Sequence, residues 1–311
     1  MAVIKGTKFD VFPLNLGGNP FGWTADRDAT FEILDAFVAA GGNFVDTADS
    51  YSMWAEGNEG GESEREIGAW LKERGRDKLI VATKSGELQG VEGRSREATY
   101  KAVEGSLERL GIDQIDIFYY HYDDENVSID NQIAIANDLI AERKIKHLAL
   151  SNYTPARLRE FFEKSAGTPA RPVALQPHYN LLARKEYEEN VQPIIDKHGV
   201  AVFPYFSLAA GLLTGKYASE EEIAGKQRTG QLERYATKDA FAVIDELRAV
   251  AKELDAAPTT VALAWLIAHG VTAPIASVSN PEQLTDLMAV KELKLSDAHV
   301  ARLDKASAPF A

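Results

Sequence analysis

Residues 14–22 read Leu14-Asn15-Leu16-Gly17-Gly18-Asn19-Pro20-Phe21-Gly22, a short apolar run that ends in glycines. An open dinucleotide-binding sheet carries Gly-x-Gly-x-x-Gly after its first strand, with an acidic residue about 20 positions further on. Here the glycines stand at the wrong spacing, Pro20 spoils a helix-opening turn, and Asp35 falls inside a helical pattern. The stretch argues against an open Rossmann sheet.

Outward from it, apolar runs of four to seven residues recur at Leu14–Gly17, Asn43–Asp46, Leu79–Lys84, Ile115–His121, His147–Asn152, Val173–Gln176, Val200–Tyr205 and Thr272–Ala276. They lack strict alternation, which is how strands buried on both faces of a parallel sheet read. Between them lie helical patterns at Ala29–Ala40, Ser63–Glu73, Ser95–Leu110, Ile129–Glu142, Pro155–Lys164, Tyr187–His198 and Lys238–Leu254. Ser63-Glu64-Arg65-Glu66 reads as a capping box. Eight strand-then-helix steps in one chain predict an α/β fold, a (β/α)8 TIM barrel, in a single domain over 1–311. Two long loops, Ser52–Glu62 and Leu208–Thr237, follow strands two and seven. Both are placed on the C-terminal face, where barrel active sites sit.

Composition narrows the function classes. The net charge of −13, with no basic block, argues against nucleic acid as a partner. With no cysteine, there is no disulfide, thiolate metal ligand or cysteine nucleophile. The start, MAVIKGTKFD, has no apolar signal core. The most apolar stretch, around Val261–Val278, is broken by His269, Gly270 and Pro274, so no membrane span is expected. A soluble cytoplasmic protein is the expectation.

The strand ends carry the chemistry. Strand two ends in Asp46, followed by Tyr51; strand three ends in Lys84 and strand four in His121. Singly, each has an ordinary structural role: a cap, an ion-pair partner, a packing ring, a satisfied core histidine. Together they form a proton-transfer device. A tyrosine hydroxyl titrates near 10, too high for efficient exchange at neutral pH. A lysine cation beside it stabilises the phenolate, and an aspartate fixes the lysine. A histidine can hold the substrate oxygen. This suits an oxygen that gains charge, as a carbonyl does on receiving hydride.

These residues lie in segments that resemble the aldo-keto reductase superfamily. The resemblance runs from about Leu14 to Leu287 and rests on Gly41-Gly42-Asn43-Phe44-Val45-Asp46-Thr47-Ala48-Asp49-Ser50-Tyr51, on Leu79–Lys84 and on Ile115–His121. Ser151-Asn152-Tyr153, Gln176-Pro177-His178-Tyr179-Asn180-Leu181-Leu182 and Gly211-Leu212-Leu213-Thr214-Gly215-Lys216-Tyr217 extend it. It implies reduction of an aldehyde or ketone to an alcohol by NADP(H), with Asp46, Tyr51, Lys84 and His121 as catalytic tetrad and Tyr51 as general acid. The cofactor is expected along the C-terminal face. Ser151, Asn152 and Gln176 would hold the carboxamide, with Asp46 nearby, and Tyr205 would stack on the nicotinamide. Gly18 and Asn19 would approach the ring, while Phe206, Ser207, Leu208, Gly211 and Lys216 would line the pyrophosphate.

One motif departs from the family pattern. Ser277-Val278-Ser279-Asn280-Pro281-Glu282-Gln283-Leu284 has Ser279 where the family shows a lysine or arginine for the 2′-phosphate, and Leu287 where it shows asparagine. Ser277, Ser279 and Gln283 remain cofactor candidates, with the start of a helix over Asn280–Met288 as an anion site. Lys216 or Arg228 could supply the missing charge; NAD(H) is the alternative cofactor. Trp23, Trp54, Tyr51 and His121 are the substrate-site candidates, with Tyr122 and Tyr153 as further walls. The partner is a small carbonyl or alcohol, and the chain is expected as a monomer or weak homo-oligomer.

Two rival readings compete with this one. A metal-assisted hydrolase could use Asp46, Asp49, His121 and His178, but the sequence has no His-x-His after strand one, and no metal site is expected. The other is a cofactor-binding regulatory subunit resembling potassium-channel β-subunits, with little turnover.

Overall fold

A computed structural model describes residues 1–223 and 229–311. Its barrel strands are β1 (Asn15–Gly17), β2 (Phe44–Asp46), β3 (Ile80–Ser85), β4 (Ile115–Tyr120), β5 (Ile145–Ser151), β6 (Ala174–Gln176), β7 (Ala201–Val202) and β8 (Ile275–Ala276). All eight are parallel, in the order β8-β1-β2-β3-β4-β5-β6-β7. Every residue of β4 is buried, as a strand covered on both faces requires. The strand-and-helix alternation thus folds as the (β/α)8 barrel it predicts.

Strands seven and eight are shorter than the apolar runs suggest, because Pro204 and Pro274 have no N–H to give to a ladder. Their carbonyls still close the ring. Ile275 N donates to Pro204 O at 3.1 Å, Asn15 N to Pro274 O at 3.0 Å, and Thr272 N to Val202 O at 3.0 Å. Inside the barrel, Phe44 and Phe203 meet edge to face at 5.0 Å among small residues such as Ala82, Ala149 and Ala174. An N-terminal hairpin, Ala2–Val3 against Asp10–Val11, adds Ile4 and Val11 to that cluster. Asn43, just before β2, ties it down through Asp10 O and Phe12 N, so the hairpin covers the end opposite the strand termini.

The first five helices lie close to their predicted spans: α1 (Arg27–Ala39), α2 (Glu62–Arg74), α3 (Arg96–Leu110), α4 (Ile129–Ala141) and α5 (Pro155–Lys164). The capping box at Ser63 is not formed. Helix α2 starts at Glu62, one residue before Ser63, and is preceded by Gly61, which has a left-handed φ of 78°. Ser63 Oγ turns inward instead, donating to Gly18 O at 2.8 Å and pairing with Thr47 Oγ1 at 2.7 Å. Glu64 is also fully buried, accepting from Thr83 Oγ1 and Arg109 Nε, both at 2.6 Å. A tertiary clamp between α2 and the ends of β1, β2 and β3 replaces the local cap.

The pattern at Tyr187–His198 splits into a wide π turn, Tyr187–Val191, and α6 (Gln192–His198), because Pro193 cannot donate into a continuous helix. The long loop after β7 carries structure of its own, a 3-10 segment at Ala209–Thr214 and the short α7 (Thr229–Leu232). After α8 (Lys238–Glu253) comes α9 (Pro258–Ala268), which sequence periodicity misses because the helix is buried nearly all round and has no polar face. Only a 3-10 turn, Pro281–Gln283, and the five-residue α10 (Leu284–Met288) stand where a longer helix over Asn280–Met288 is predicted. α11 (Asp297–Ala306), also unpredicted, closes the chain against α8 and α9. No helix among the described residues is long and apolar enough to cross a membrane.

Candidate active site

The barrel brings neighbouring strand ends together, and with them four ionisable side chains distant in sequence. Asp46 ends β2, Lys84 lies near the end of β3, His121 follows β4, and Tyr51 stands in the loop after β2. Asp46 and Lys84 are fully buried, and Lys84 Nζ donates to Asp46 Oδ2 at 2.6 Å. Nζ also donates to Thr47 O at 2.8 Å and to Tyr51 Oη at 2.7 Å, which uses all three of its protons. The second oxygen of Asp46 accepts from Gln176 Nε2, across the barrel on β6, at 2.9 Å. Such a pair is stable in a dry interior only when its remaining hydrogen-bonding capacity is met, as it is here.

The electrostatics differ from the expected lowering of the Tyr51 titration. Burial pushes this hydroxyl well above the ordinary phenol range, and Asp46 pushes it the same way. The cause is geometric. Asp46 Oδ2 also accepts from Tyr51 Oη at 3.3 Å, so its negative charge offsets Lys84. Burial in turn lowers Lys84 despite Asp46. Tyr51 therefore rests protonated, held by a cation that can stabilise the phenolate when the proton leaves. Burial, helped by Lys84 and Arg94, takes His121 well below its usual range, so its imidazole is neutral. Its Nδ1 is buried without a hydrogen bond and lies 3.4 Å from Glu87 Oε2.

Above these residues runs a cleft of about 910 Å³ along the C-terminal face of the strands. Asn19, Asn152, Gln176 and Tyr205 stand on its walls near the tetrad. Asn152 Nδ2 donates to His121 O at 2.9 Å, and Tyr205 Oη donates to Asn152 Oδ1 at 3.0 Å. Tyr205 is stacked on His178, with ring planes within 11°. Phe206, Ser207, Leu208, Gly211 and Lys216 continue the wall on the strand-seven side. Phe206, Ala209, Ala210 and Gly211 all take left-handed φ between 48° and 100°, a concentration of strain typical of ligand-clamping turns. With the exposed Lys216 beside it, this turn suits an anionic, extended ligand such as a dinucleotide pyrophosphate.

At the far end, Ser277, Ser279 and Gln283 line the cleft as expected. Ser279 Oγ pairs with Thr24 Oγ1 at 2.9 Å, and Ser279 N donates to Gln283 Oε1 at 2.9 Å. The five-residue α10 is too short to sum a useful dipole for an anion. Asp286 stands on the same wall, a carboxylate that sequence reading overlooked. Lys216 is the one lysine or arginine among the described residues lining the cleft. Arg228, the other candidate for phosphate binding, lies outside the described residues.

Some expected site residues sit behind the walls. Gly18 is packed against Ser63, Asp46 O and Phe21. Ser151 is buried, its Oγ donating to Gln176 O at 2.8 Å. Tyr153 is buried with its hydroxyl on Gln132 Oε1, so it is no pocket wall. Trp23, Trp54, Tyr122 and Tyr51 do form one, Trp23 meeting Trp54 edge to face at 5.7 Å. The strand-two loop that carries Trp54 is anchored, since Asn58 Nδ2 donates to Gly22 O at 2.9 Å and Ser52 Oγ to Phe21 O at 2.9 Å. Glu87 shares this wall and was missed, although its place three residues past Lys84 puts it at a strand end. Of the hydrolase candidates, His178 is taken up by Tyr205 and Tyr235, and no metal-holding cluster of His, Asp and Glu occurs among the described residues.

Comparison with known proteins gives a consistent picture. The model of the aldo/keto reductase family matches residues 13–308. An aldo-keto reductase of Strobilurus tenacellus is 30% identical, over 92% of this chain and 83% of that one. An aryl-alcohol dehydrogenase of Phanerodontia chrysosporium, named as NADP(+)-dependent, is 30% identical over 84% of this chain and 73% of its own length. The L-glyceraldehyde 3-phosphate reductase of Escherichia coli K12 is 27% identical, over 97% and 90% respectively.

One buried group beside the tetrad yields a stability test. Asp49 is fully buried, and neither carboxylate oxygen has a hydrogen-bond partner among the described residues. Burial, then Glu64, pushes its carboxyl up to about 7. The folded chain thus binds this proton more tightly than the unfolded chain. Ionising Asp49 costs stability that is intact in acid, falls as pH rises from about 4, and is fully lost above about 7. Asp49→Asn removes the charge at constant shape. Its stability relative to wild type should be higher at about pH 8 than at about pH 5 by about 2–4 kcal/mol, read as a matching change in melting-temperature difference. A pH-independent difference in thermal unfolding would show that Asp49 titrates in the folded chain as it does in the unfolded one.

Proposed function

The chain belongs to the aldo/keto reductase family, and from that premise we propose that this oxidoreductase reduces an aldehyde or ketone to an alcohol with NADP(H). The observation that carries the reading is Tyr51 Oη held at 2.7 Å from the buried Lys84 Nζ on the wall of a long cleft. A reduced nicotinamide bound in the cleft supplies the hydride. The chain's own residues do the rest.

Asn152, Gln176 and Tyr205 would hold the nicotinamide end, and the left-handed turn at Phe206–Gly211 with Lys216 would hold the pyrophosphate. Tyr51 gives its proton to the substrate oxygen as charge develops there. Lys84 then faces a phenolate at hydrogen-bond distance, and Asp46 keeps the lysine in place. The neutral imidazole of His121 orients the oxygen. The carbonyl enters along Trp23, Trp54 and Tyr122, whose rings exclude water from the transfer. Gln176 spans both functions, because its amide also fixes Asp46. In the reverse direction the same residues accept the proton of an alcohol.

The reading of NADP(H) draws on the NADP(+) in the name of the Phanerodontia chrysosporium relative. NAD(H) is the second reading, favoured by Ser279 and Asp286 at the end of the cleft where a 2′-phosphate would need a cation.

Two measurements test this. Tyr51→Phe should lower kcat for aldehyde reduction by about 10²–10⁴-fold, while cofactor titration by fluorescence quenching changes little. Near-wild-type turnover by this variant would remove Tyr51 from the proton transfer. Titrating wild type with NADPH and NADH should give the tighter binding to NADPH. Tighter binding of NADH would move the assignment to NAD(H) and make Ser279 and Asp286 the residues that read the unphosphorylated ribose.

A further inference from the structure

Glu87 stands out on the substrate side of the cleft because no step above uses it. It follows β3 by two residues and lines the same wall as Tyr51, Trp54, His121 and Tyr122. Its Oε2 lies 3.4 Å from His121 Nδ1, and its side chain is 37% exposed, so the carboxylate borders the space in which a substrate oxygen would sit. Its charge reaches both Tyr51 and Tyr122, contributing to the upward push on each hydroxyl.

Burial pushes the Glu87 carboxyl up, while Lys84, a hydrogen bond with Ser50 and Arg94 favour the carboxylate; among the described residues both of these cations lie behind the wall. The Lys84 ammonium is fully buried and committed to Asp46 at 2.6 Å. The Arg94 guanidinium is buried behind the wall, on Ser85. Lys216, on the loop after β7, belongs to the cofactor side. The remaining neighbours are aromatic, with Trp54 49% and Tyr122 41% exposed, and ring faces attract cations rather than anions. Glu87 is thus the one carboxylate that the described residues set on this side of the cleft, in a chain whose net charge is −13.

We infer that Glu87 selects substrates by charge: uncharged and cationic carbonyl compounds reach Tyr51 and His121, and those bearing a carboxylate or phosphate near the carbonyl are turned away. This rests on the carbonyl-reductase reading of the same site. Glu87 is then a specificity-determining residue, acting through its field on whatever approaches the tetrad.

The test compares wild type, Glu87→Gln and Glu87→Lys on benzaldehyde and 4-carboxybenzaldehyde, with the nicotinamide cofactor that supports turnover. The kcat/KM ratio of the neutral to the anionic aldehyde should be about tenfold or more in wild type, as for one unit charge facing another across a partly solvated gap. Glu87→Gln should reduce that ratio by about tenfold, whatever the absolute rates, and Glu87→Lys should reduce it further. One ratio shared by all three proteins would overturn the inference. A second readout needs no turnover: benzoate should quench tryptophan fluorescence of wild type at higher concentration than benzamide, and the gap should narrow in Glu87→Gln. Should neither aldehyde be reduced, the carbonyl-reductase reading fails, and the quenching still decides the charge selection. Weaker benzoate binding upholds it, and equal binding of benzoate and benzamide overturns it.

Discussion

The ion pair between Lys84 and Asp46 is the contact on which the site depends. Two fully buried charges 2.6 Å apart survive only because every remaining donor and acceptor around them is engaged. Removing either partner leaves an uncompensated charge in the interior, which typically costs about 3–5 kcal/mol. The pair therefore dictates its surroundings. Thr47 must offer its carbonyl, Gln176 its amide and Tyr51 its hydroxyl, the first and last from the loop after β2 and the other from β6. Parallel strands make the meeting possible, since β2 and β3 lie side by side with Asp46 opposite Ala82, two residues before Lys84.

Around that pair the protein builds outward in layers. Helix α2 is clamped onto the strand ends by Ser63 and Glu64, which holds the segment leading to Tyr51. The loop beyond it is tied to the strand-one loop through Asn58 and Ser52, which sets Trp54 against Trp23. On the opposite side, the left-handed turn after β7 gives the cleft its second wall. One wall is aromatic and carries Glu87; the other presents backbone and Lys216. The proposed seating of a large anionic cofactor beside a smaller substrate draws on this difference between the walls.

Much of this was legible in the sequence, and the exceptions have physical causes. Apolar runs at Ile115–His121 and Leu79–Lys84 announce doubly covered strands, and the polar residue at the end of each marks the rim. The four tetrad positions follow from those strand ends together with Tyr51. What failed depends on partners remote in sequence. Ser63 has the local signature of a cap but spends its hydroxyl on Gly18 and Thr47. α9 lacks an amphipathic stripe because it is buried on all sides. Tyr51 is pushed up instead of down because it is buried and Asp46 faces it as well as Lys84, facts of three-dimensional packing. Glu87 carries no motif, and its importance appears only when His121 and the aromatic rings are seen beside it.

In the proposed mechanism, the buried Lys84 cation is what makes Tyr51 a usable proton donor. The most direct measurement is the pH dependence of kcat/KM for aldehyde reduction by Lys84→Met beside wild type, from mildly acid to alkaline solution. A loss of about 10²-fold or more is expected together with a displaced profile, because the phenolate left after proton transfer no longer has its cation. Superimposable profiles at full activity would contradict it.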